Sequence, residues 1–341
     1  MIQNNISVII PLYNAEKYIG KALDSCLQLS EVKEIIVVDD ASPDGAAEIV
    51  KSYAGKEPRI RLLTHADKKN HGAGASRNLG IENATCEFIA FLDADDFYLP
   101  NRFEKDRKIF DAFPDADGCY NALGVYFYSR ESKSVFEKHF SKNKEMTSVW
   151  QASKPTPENL FPGLIGKIKD YGYFSLDCLT IKRESLLNSK LKMNENLRLH
   201  QDTDFIIKLA WHCKLYPSEI SRPTAMRGVH DENRITRNFQ KHRTEKSLNR
   251  FKLWDSLLQW GEQTGLDTDL LGYINGKRDY FRLAMSPKLN FRTFLKEIIK
   301  NPLILKSQSY PAIHFMFLEK YGSLISTGLF KIRNIFVKTN M

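Results

Sequence analysis

The chain has 341 residues, 42% of them apolar and 27% charged, with a formal net charge of +9. That length can bury one large core or two modest ones, and the apolar fraction supports a globular protein. Five cysteines, Cys26, Cys86, Cys119, Cys178 and Cys213, are odd in number and include no C-x-x-C pair, which argues against a disulfide framework and a zinc site. The opening Met1 to Ile10 carries no basic segment before its apolar residues, so no secretory signal is expected. Charge-free stretches such as Ser307 to Leu318 are too short and too polar to span a membrane, and a cytosolic location is expected.

In chain order, Ile6 to Ile10 reads as a buried strand, Ala15 to about Leu29 as a helix, and Glu34 to Val38 as a second strand. Ser42 suits an N-cap with Pro43 at the first helical position, before a helix to about Tyr53. Ile60 to Leu63 is a third strand. Gly72 and Gly74 loosen the backbone before a helix over about Ala75 to Asn83, and Cys86 to Leu92 is an apolar run of strand length. Such alternation predicts βαβ units and a mostly parallel sheet covered by helices on both faces.

The fourth strand runs into Asp93, Ala94, Asp95 and Asp96. In an extended chain residues i and i+2 share a side, so Asp93 and Asp95 are expected to aim into one pocket while Asp96 faces elsewhere. Two convergent carboxylates suit a hard divalent cation, Mg2+ or Mn2+, at the carboxyl end of a parallel strand. The competing reading is a solvated turn that caps the next helix.

Beyond residue 115 the pattern is less regular. Cys119 to Tyr128 reads as a strand, Ser129 to Pro157 as a polar loop, Tyr173 to Ile181 as a strand, and a helix starts near Arg183. Phe205, Ile206, Leu209, Ala210 and Cys213 recur at helical spacing, with Asp202 at the start of that helix. Asp204 is turned from Asp202 by about 200° and cannot share its site. Leu248, Phe251, Trp254, Leu257 and Leu258 fall on one side of a helix over Glu245 to Trp260. The last 55 residues, from Pro287, hold nine Lys and Arg against Glu297 and Glu319, a net +7, so the first 286 carry only +2. Charge alone does not choose among nucleic acid, an anionic membrane surface and solubility for this tail.

Four strings in order, Ser7-Val-Ile-Ile-Pro-Leu-Tyr-Asn14, Ile35-Ile-Val-Val-Asp-Asp-Ala-Ser42, Asn70-His-Gly with Ser76-Arg-Asn-Leu-Gly80, and Phe91-Leu-Asp-Ala-Asp-Asp96, resemble glycosyltransferase family 2, inverting enzymes of the GT-A fold. The resemblance is tight over residues 5 to 110, looser to about 238, and absent beyond. It implies an α/β GT-A fold, with a Rossmann-like central sheet, mostly parallel and flanked by helices, and a helical C-terminal extension. The expected layout is a catalytic domain at 1–238, with a nucleotide-sugar-binding half at 1–115 and an acceptor half at 116–238, then a basic extension at 239–341.

The resemblance also implies site residues. Pro11, Tyr13, Asp40, Asn70 and Arg77 occupy nucleotide-contacting positions, Asn14 lies beside them, and Asp93 falls near the ribose. An exposed aromatic ring can stack on a base, and a carboxylate can accept from the imide N–H of uracil, so a UDP-sugar donor is expected. Asp95, with Asp93, is the expected metal ligand. Gln201-Asp202 stands where the family usually has Glu-Asp, so Asp202 is the expected catalytic base, against a plain N-cap role. Met226 to Thr236 resembles the family's closing segment, which adds His230 as a metal ligand and Arg227 or Arg234 at the diphosphate. The implied acceptor is a glycan or lipid-linked glycan in surface polysaccharide or lipopolysaccharide synthesis.

Two other classes stay open, a sugar nucleotidyltransferase and a non-catalytic binding module on the same fold. The first would carry a basic glycine-rich loop near the N-terminus, where this chain has Pro11-Leu-Tyr-Asn14. A dinucleotide enzyme is disfavoured, since Arg77 stands where the third glycine would fall. No nucleic-acid partner is expected. The extension either holds the protein at the inner face of the cell membrane or packs on the core or in a dimer.

Overall fold

The computed structural model describes residues 5–140, 149–150, 156–168, 172–231 and 243–284. The chain divides into two compact units, Met1–Gln240 and Lys241–Met341. The first opens with β1 (Ile6–Leu12), α1 (Ile19–Leu27), β2 (Val32–Asp39), α2 (Ala46–Ala54), β3 (Ile60–Thr64), α3 (Ala73–Asn83) and β4 (Phe88–Phe91). It continues through β5 (Phe97–Tyr98), α4 (Asp106–Ala112), β6 (Gly118–Tyr120), β7 (Ala122–Phe127), α5 (Arg130–Phe140), β8 (Val149–Trp150) and α6 (Pro157–Leu164). Then come β9 (Leu179–Lys182), α7 (Arg183–Asn188), α8 (Gln201–His212), β10 (Leu215–Pro217) and β11 (Pro223–Val229).

Seven strands form the main sheet in the order β10-β6-β9-β4-β1-β2-β3. β1 pairs in parallel with β2 and β4, β2 with β3, and β6 with β10; only β9 runs antiparallel to its neighbours β4 and β6. All seven residues of β1 are buried, as expected of a central strand covered on both faces. After β3 the chain returns across β1 to form β4, so the strand order reverses at β1. The carboxyl ends of β1 and β4 therefore flank the crevice where open α/β sheets bind ligands. A second sheet has the order β5-β11-β7-β8, with β5 directly after the acidic segment in the chain and the other three strands from later in the unit.

Polar side chains pin the amino end of the sheet. Ser7 Oγ donates to Glu34 Oε2 at 2.5 Å, Thr85 N to the same oxygen at 2.9 Å, and Arg61 to Glu34 Oε1 at 2.5 Å. Burial raises the Glu34 pKa, but these hydrogen bonds outweigh it and hold the carboxyl below its ordinary value. Deeper in, the fully buried Arg102 donates to Asp177 O and Leu179 O, both at 3.0 Å, and to Thr180 Oγ1 and Asp106 Oδ2, both at 3.2 Å.

Several expectations need correction. α2 begins at Ala46 and not at Pro43, because Ser42 N donates to Asp39 Oδ1 (3.0 Å) and ties residues 39–42 to the strand end. The expected strand Cys119–Tyr128 is two strands in different sheets, broken at Asn121. Residues 129–157, expected to be loop, include α5 and β8. The start of the expected strand Tyr173–Ile181 is irregular and turns through a 3-10 helix, Leu176–Cys178, which buries Asp177.

In the second unit, two helices, Arg243–Thr264 and Thr268–Ala284, pack against each other. Trp254, Leu257, Leu258 and Ile274 are buried, while Leu248 is exposed and lies off the expected stripe. No helix among the described residues is long and apolar enough to cross a membrane. The basic stretch 285–341 lies outside the described residues.

Candidate active site

At the end of β1, Pro11 and Leu12 lead into Tyr13, whose side chain is 52% exposed, and Asn14, which takes a left-handed φ of 52°. At the end of β2, Asp40 is almost fully buried. One of its oxygens accepts from His71 N (2.7 Å) and the other from Gly72 N (2.8 Å), while Asn70 Nδ2 donates to its carbonyl at 3.1 Å. Asp40 thus holds the 70–72 loop in place as well as facing the cavity. Gly72 has φ 92°, a conformation that favours glycine, and Arg198 lies where a Cβ would project. Arg198 in turn donates to Asn70 Oδ1 at 3.1 Å.

α3 presents Arg77 to the site. Its guanidinium is buried and pairs with Asp93; burial disfavours its charge, and Asp93, Asp202 and Asp177 more than offset that. The next residue, Asn78, points the other way and bonds Met193 in both directions, at 3.0 and 2.8 Å.

The acidic segment is a turn and not extended strand. β4 ends at Phe91, and Asp96 N donates to Asp93 O at 3.0 Å. This overturns the expectation that Asp96 faces elsewhere, since the two-residue alternation applies only to extended backbone. One oxygen from each of Asp93, Asp96 and Asp177 lies within 4.8 Å of the others. Burial, then the Asp177, Asp95 and Asp93 charges, pushes the Asp96 pKa well up; burial and Asp93 raise that of Asp177, with which Asp96 shares a hydrogen bond. Asp95 turns instead to His230, with Oδ2 at 3.1 Å from Nε2, and the imidazole stacks on Tyr18 at 4.2 Å between ring centroids. Gly228 makes this turn possible. Its N–H donates to Asp96 Oδ1 at 2.8 Å, and a Cβ there would collide with the Asp95 carbonyl.

Asp202 occupies the first turn of α8, and Oδ1 accepts from Thr203 N at 2.8 Å. The N-cap position belongs to His200, so Asp202 is not the cap. Asp204 is buried and paired with Lys208 Nζ at 2.7 Å, away from the cavity lining, in line with the angular argument. Arg227 donates to Ser175 Oγ at 3.3 Å. Burial works against its charge, and the carboxylates of Asp96, Asp177, Asp93 and Asp202 outweigh that and keep it cationic.

These groups enclose a cavity of about 590 Å³ whose walls include Pro11, Tyr13, Asn14, Asp40, Asn70, Arg77, Asp93, Asp95, Asp202 and His230. Every candidate site residue from the sequence lies on it except Arg234, which falls outside the described residues. The acid cluster suits a hard divalent cation. Hydrogen bonds of the fold engage Asp96 Oδ1 and both Asp177 oxygens, the latter from Asp93 N and Ser175 Oγ, whereas the Asp93 and Asp95 side chains are 41% and 32% exposed. Asp93 and Asp95 are therefore the carboxylates of this turn that open most to the cavity, while His230 is buried with Nε2 against Asp95. No local pattern marks Asp177, Asn78 or Arg198, each of which is tied into the site by a partner 75 or more residues away.

A family model described as Glycosyl transferase family 2 matches residues 7–176. An uncharacterized glycosyltransferase of Haemophilus influenzae is 33% identical over 196 residues, covering 54% of this chain and 75% of that protein. YibD of Escherichia coli, also an uncharacterized glycosyltransferase, is 45% identical over 133 residues, covering 37% of this chain and 38% of its own length. The chain spans 54% of a third such relative, EpsJ of Bacillus subtilis, at 30% identity over 205 residues and 59% of this chain. Among solved structures, residues 1–349 of S. aureus TarS in complex with UDP-GlcNAc superimpose with a TM-score of 0.57 at 17% identity, over 89% of this chain and 79% of that one. That likeness shows a shared fold, GT-A. Sequence motifs, a relative matched over three quarters of its length and this architecture agree, and the chain belongs to glycosyl transferase family 2.

Proposed function

We propose that the chain is an inverting glycosyltransferase that moves a hexose or N-acetylhexosamine from a UDP-sugar to an acceptor hydroxyl. The observation that carries this reading is that Asp202 and the Asp93–Asp96 turn line one cavity at the carboxyl ends of β1 and β4. Its volume of about 590 Å³ is of the size that takes a small-molecule ligand. The exposed Tyr13 ring supplies a stacking face for the base, with Asp40, Asn70 and Asn14 around it, and the UDP-GlcNAc bound by the fold-related TarS supports a uridine donor. The catalytic domain in this reading is 1–238, and the helical, basic 239–341 is an accessory region.

In the reaction, Asp202 takes the proton from the acceptor hydroxyl as its oxygen attacks the anomeric carbon from the face opposite the leaving diphosphate, inverting that centre. One displacement suffices, with no covalent enzyme intermediate. Arg77 and Arg227, kept charged by the surrounding carboxylates, orient the donor and offset its negative charge. Asp95 with Asp93 and His230 would hold Mn2+ or Mg2+, which supplies charge neutralisation at the departing nucleotide. On family resemblance the acceptor is a growing surface polysaccharide, lipopolysaccharide or lipid-linked glycan.

The test is a panel of UDP-, GDP- and dTDP-sugars with Mn2+, scored for nucleotide release by the wild type and by Asp202→Asn. The variant should lose roughly 100-fold or more in turnover with little change in donor affinity. Turnover by Asp202→Asn within a few-fold of wild type would move the base elsewhere.

A further inference from the structure

α3 is laced to the segment that enters α8. Asn78 exchanges two hydrogen bonds with Met193, Arg198 donates to Asn70 Oδ1, and Gln201 Oε1 accepts from Gly74 N at 2.9 Å. Gly74 lies in the first turn of α3, a helix with no side-chain cap at its N-cap residue, so its N–H has no acceptor within the helix. Gln201 supplies one across 127 positions of chain. Its side chain is buried and fills the space where a Cβ on Gly74 would project. His200, just before it, is held at φ 63°, a left-handed conformation that a non-glycine residue keeps only when its surroundings impose it.

We propose that Gln201 is a positioning residue for the transfer reaction: its side-chain carbonyl, anchored on the N-terminus of α3, fixes the first turn of α8 and so sets where the Asp202 carboxylate meets the acceptor hydroxyl. α3 also carries Arg77, which pairs with Asp93, so one helix registers the acidic turn and the base against each other. The inference rests on the reading of Asp202 as the base. What matters is an acceptor atom at position 201. A carboxylate provides one, whereas a methionine fills the volume and provides none.

The experiment compares Gln201→Met and Gln201→Glu in the full chain, with Gln201→Leu in place of the methionine variant should that one not fold. Turnover is read as nucleotide release at saturating donor, using the sugar nucleotide that the panel selects, and UDP affinity is read by calorimetry with Mn2+ present. Gln201→Met should lower turnover by about 10-fold or more, since small misplacements of a reacting group are costly. UDP affinity should stay within about 2-fold, because uniform binding is untouched, and Gln201→Glu should restore turnover to within about 3-fold of wild type. Wild-type turnover in Gln201→Met, a Gln201→Glu no better than it, or UDP affinity falling in step with turnover overturns the positioning role. Asp202→Asn runs alongside. If it retains turnover, the base assignment fails and takes this inference with it; if it is inactive while Gln201→Met is unaffected, only the positioning role is refuted.

Discussion

Replacing Arg102 by methionine tests how the floor of the site is held. The guanidinium is fully buried and faces Asp106, also fully buried, at 3.2 Å. Removing the cation leaves the Asp106 carboxylate with only neutral donors, Asn121 Nδ2 (3.0 Å), Thr180 Oγ1 (2.6 Å) and Ser218 Oγ (2.9 Å). An uncompensated buried charge of this kind costs about 3–5 kcal/mol. The carbonyls of Asp177 and Leu179 lose their donors as well, so a total on the order of 5 kcal/mol is expected. In a unit of this size each kcal/mol moves the melting temperature by about 2–4 °C, which gives a fall of roughly 10–20 °C. Asp177 Oδ1 receives Asp93 N, so turnover should also fall in the fraction that remains folded. The assay is thermal and urea melting of Arg102→Met, Asp106→Asn and the double variant, analysed as a cycle. The double variant should recover about half or more of the loss, because no buried charge is left. A drop under about 3 °C in Arg102→Met, or strictly additive losses in the double variant, would refute this account.

Chelation, or Asp95→Ala, should abolish turnover and sharply weaken UDP-sugar binding, measured by nucleotide release and calorimetry; undiminished turnover in excess chelator would remove the metal from the proposal. The Glu34 carboxyl is held below its ordinary value in the folded chain, so its stabilisation is present above about pH 4.5 and is lost as the pH falls through the depressed value. Urea melts between about pH 5 and 3 should therefore show a steeper loss in wild type than in Glu34→Gln, and equal slopes would contradict the assignment. Vesicle flotation should show salt-sensitive binding to anionic but not neutral vesicles, lost on truncation after about Met285; a soluble full-length protein at low salt would end the membrane hypothesis.

Local sequence was enough to determine the donor half of the fold. The runs Ile6–Ile10 and Glu34–Val38 are buried strands because the centre of a parallel sheet demands apolar residues on both faces, and that demand is written in consecutive positions, while Ile60–Leu63 forms the half-buried edge strand. Asp93, Asp95 and Asp202 were recognisable from their motifs, and helical periodicity placed Asp202 at the start of α8 and turned Asp204 away from it. Helix α5 was missed because its sequence, RESKSVFEKHF, is mostly polar and reads like exposed loop. Asp96 was misdirected because alternation presumes extended backbone, whereas a turn closed by its own N–H swings the carboxyl back towards Asp93. Asp177, Asn78, Gln201 and Arg102 gain their meaning from partners 75 to 127 positions away. Periodicity and capping signals reach only a few residues along the chain, so which buried carboxylates meet, and which amide caps which helix, was settled only when the two halves packed together.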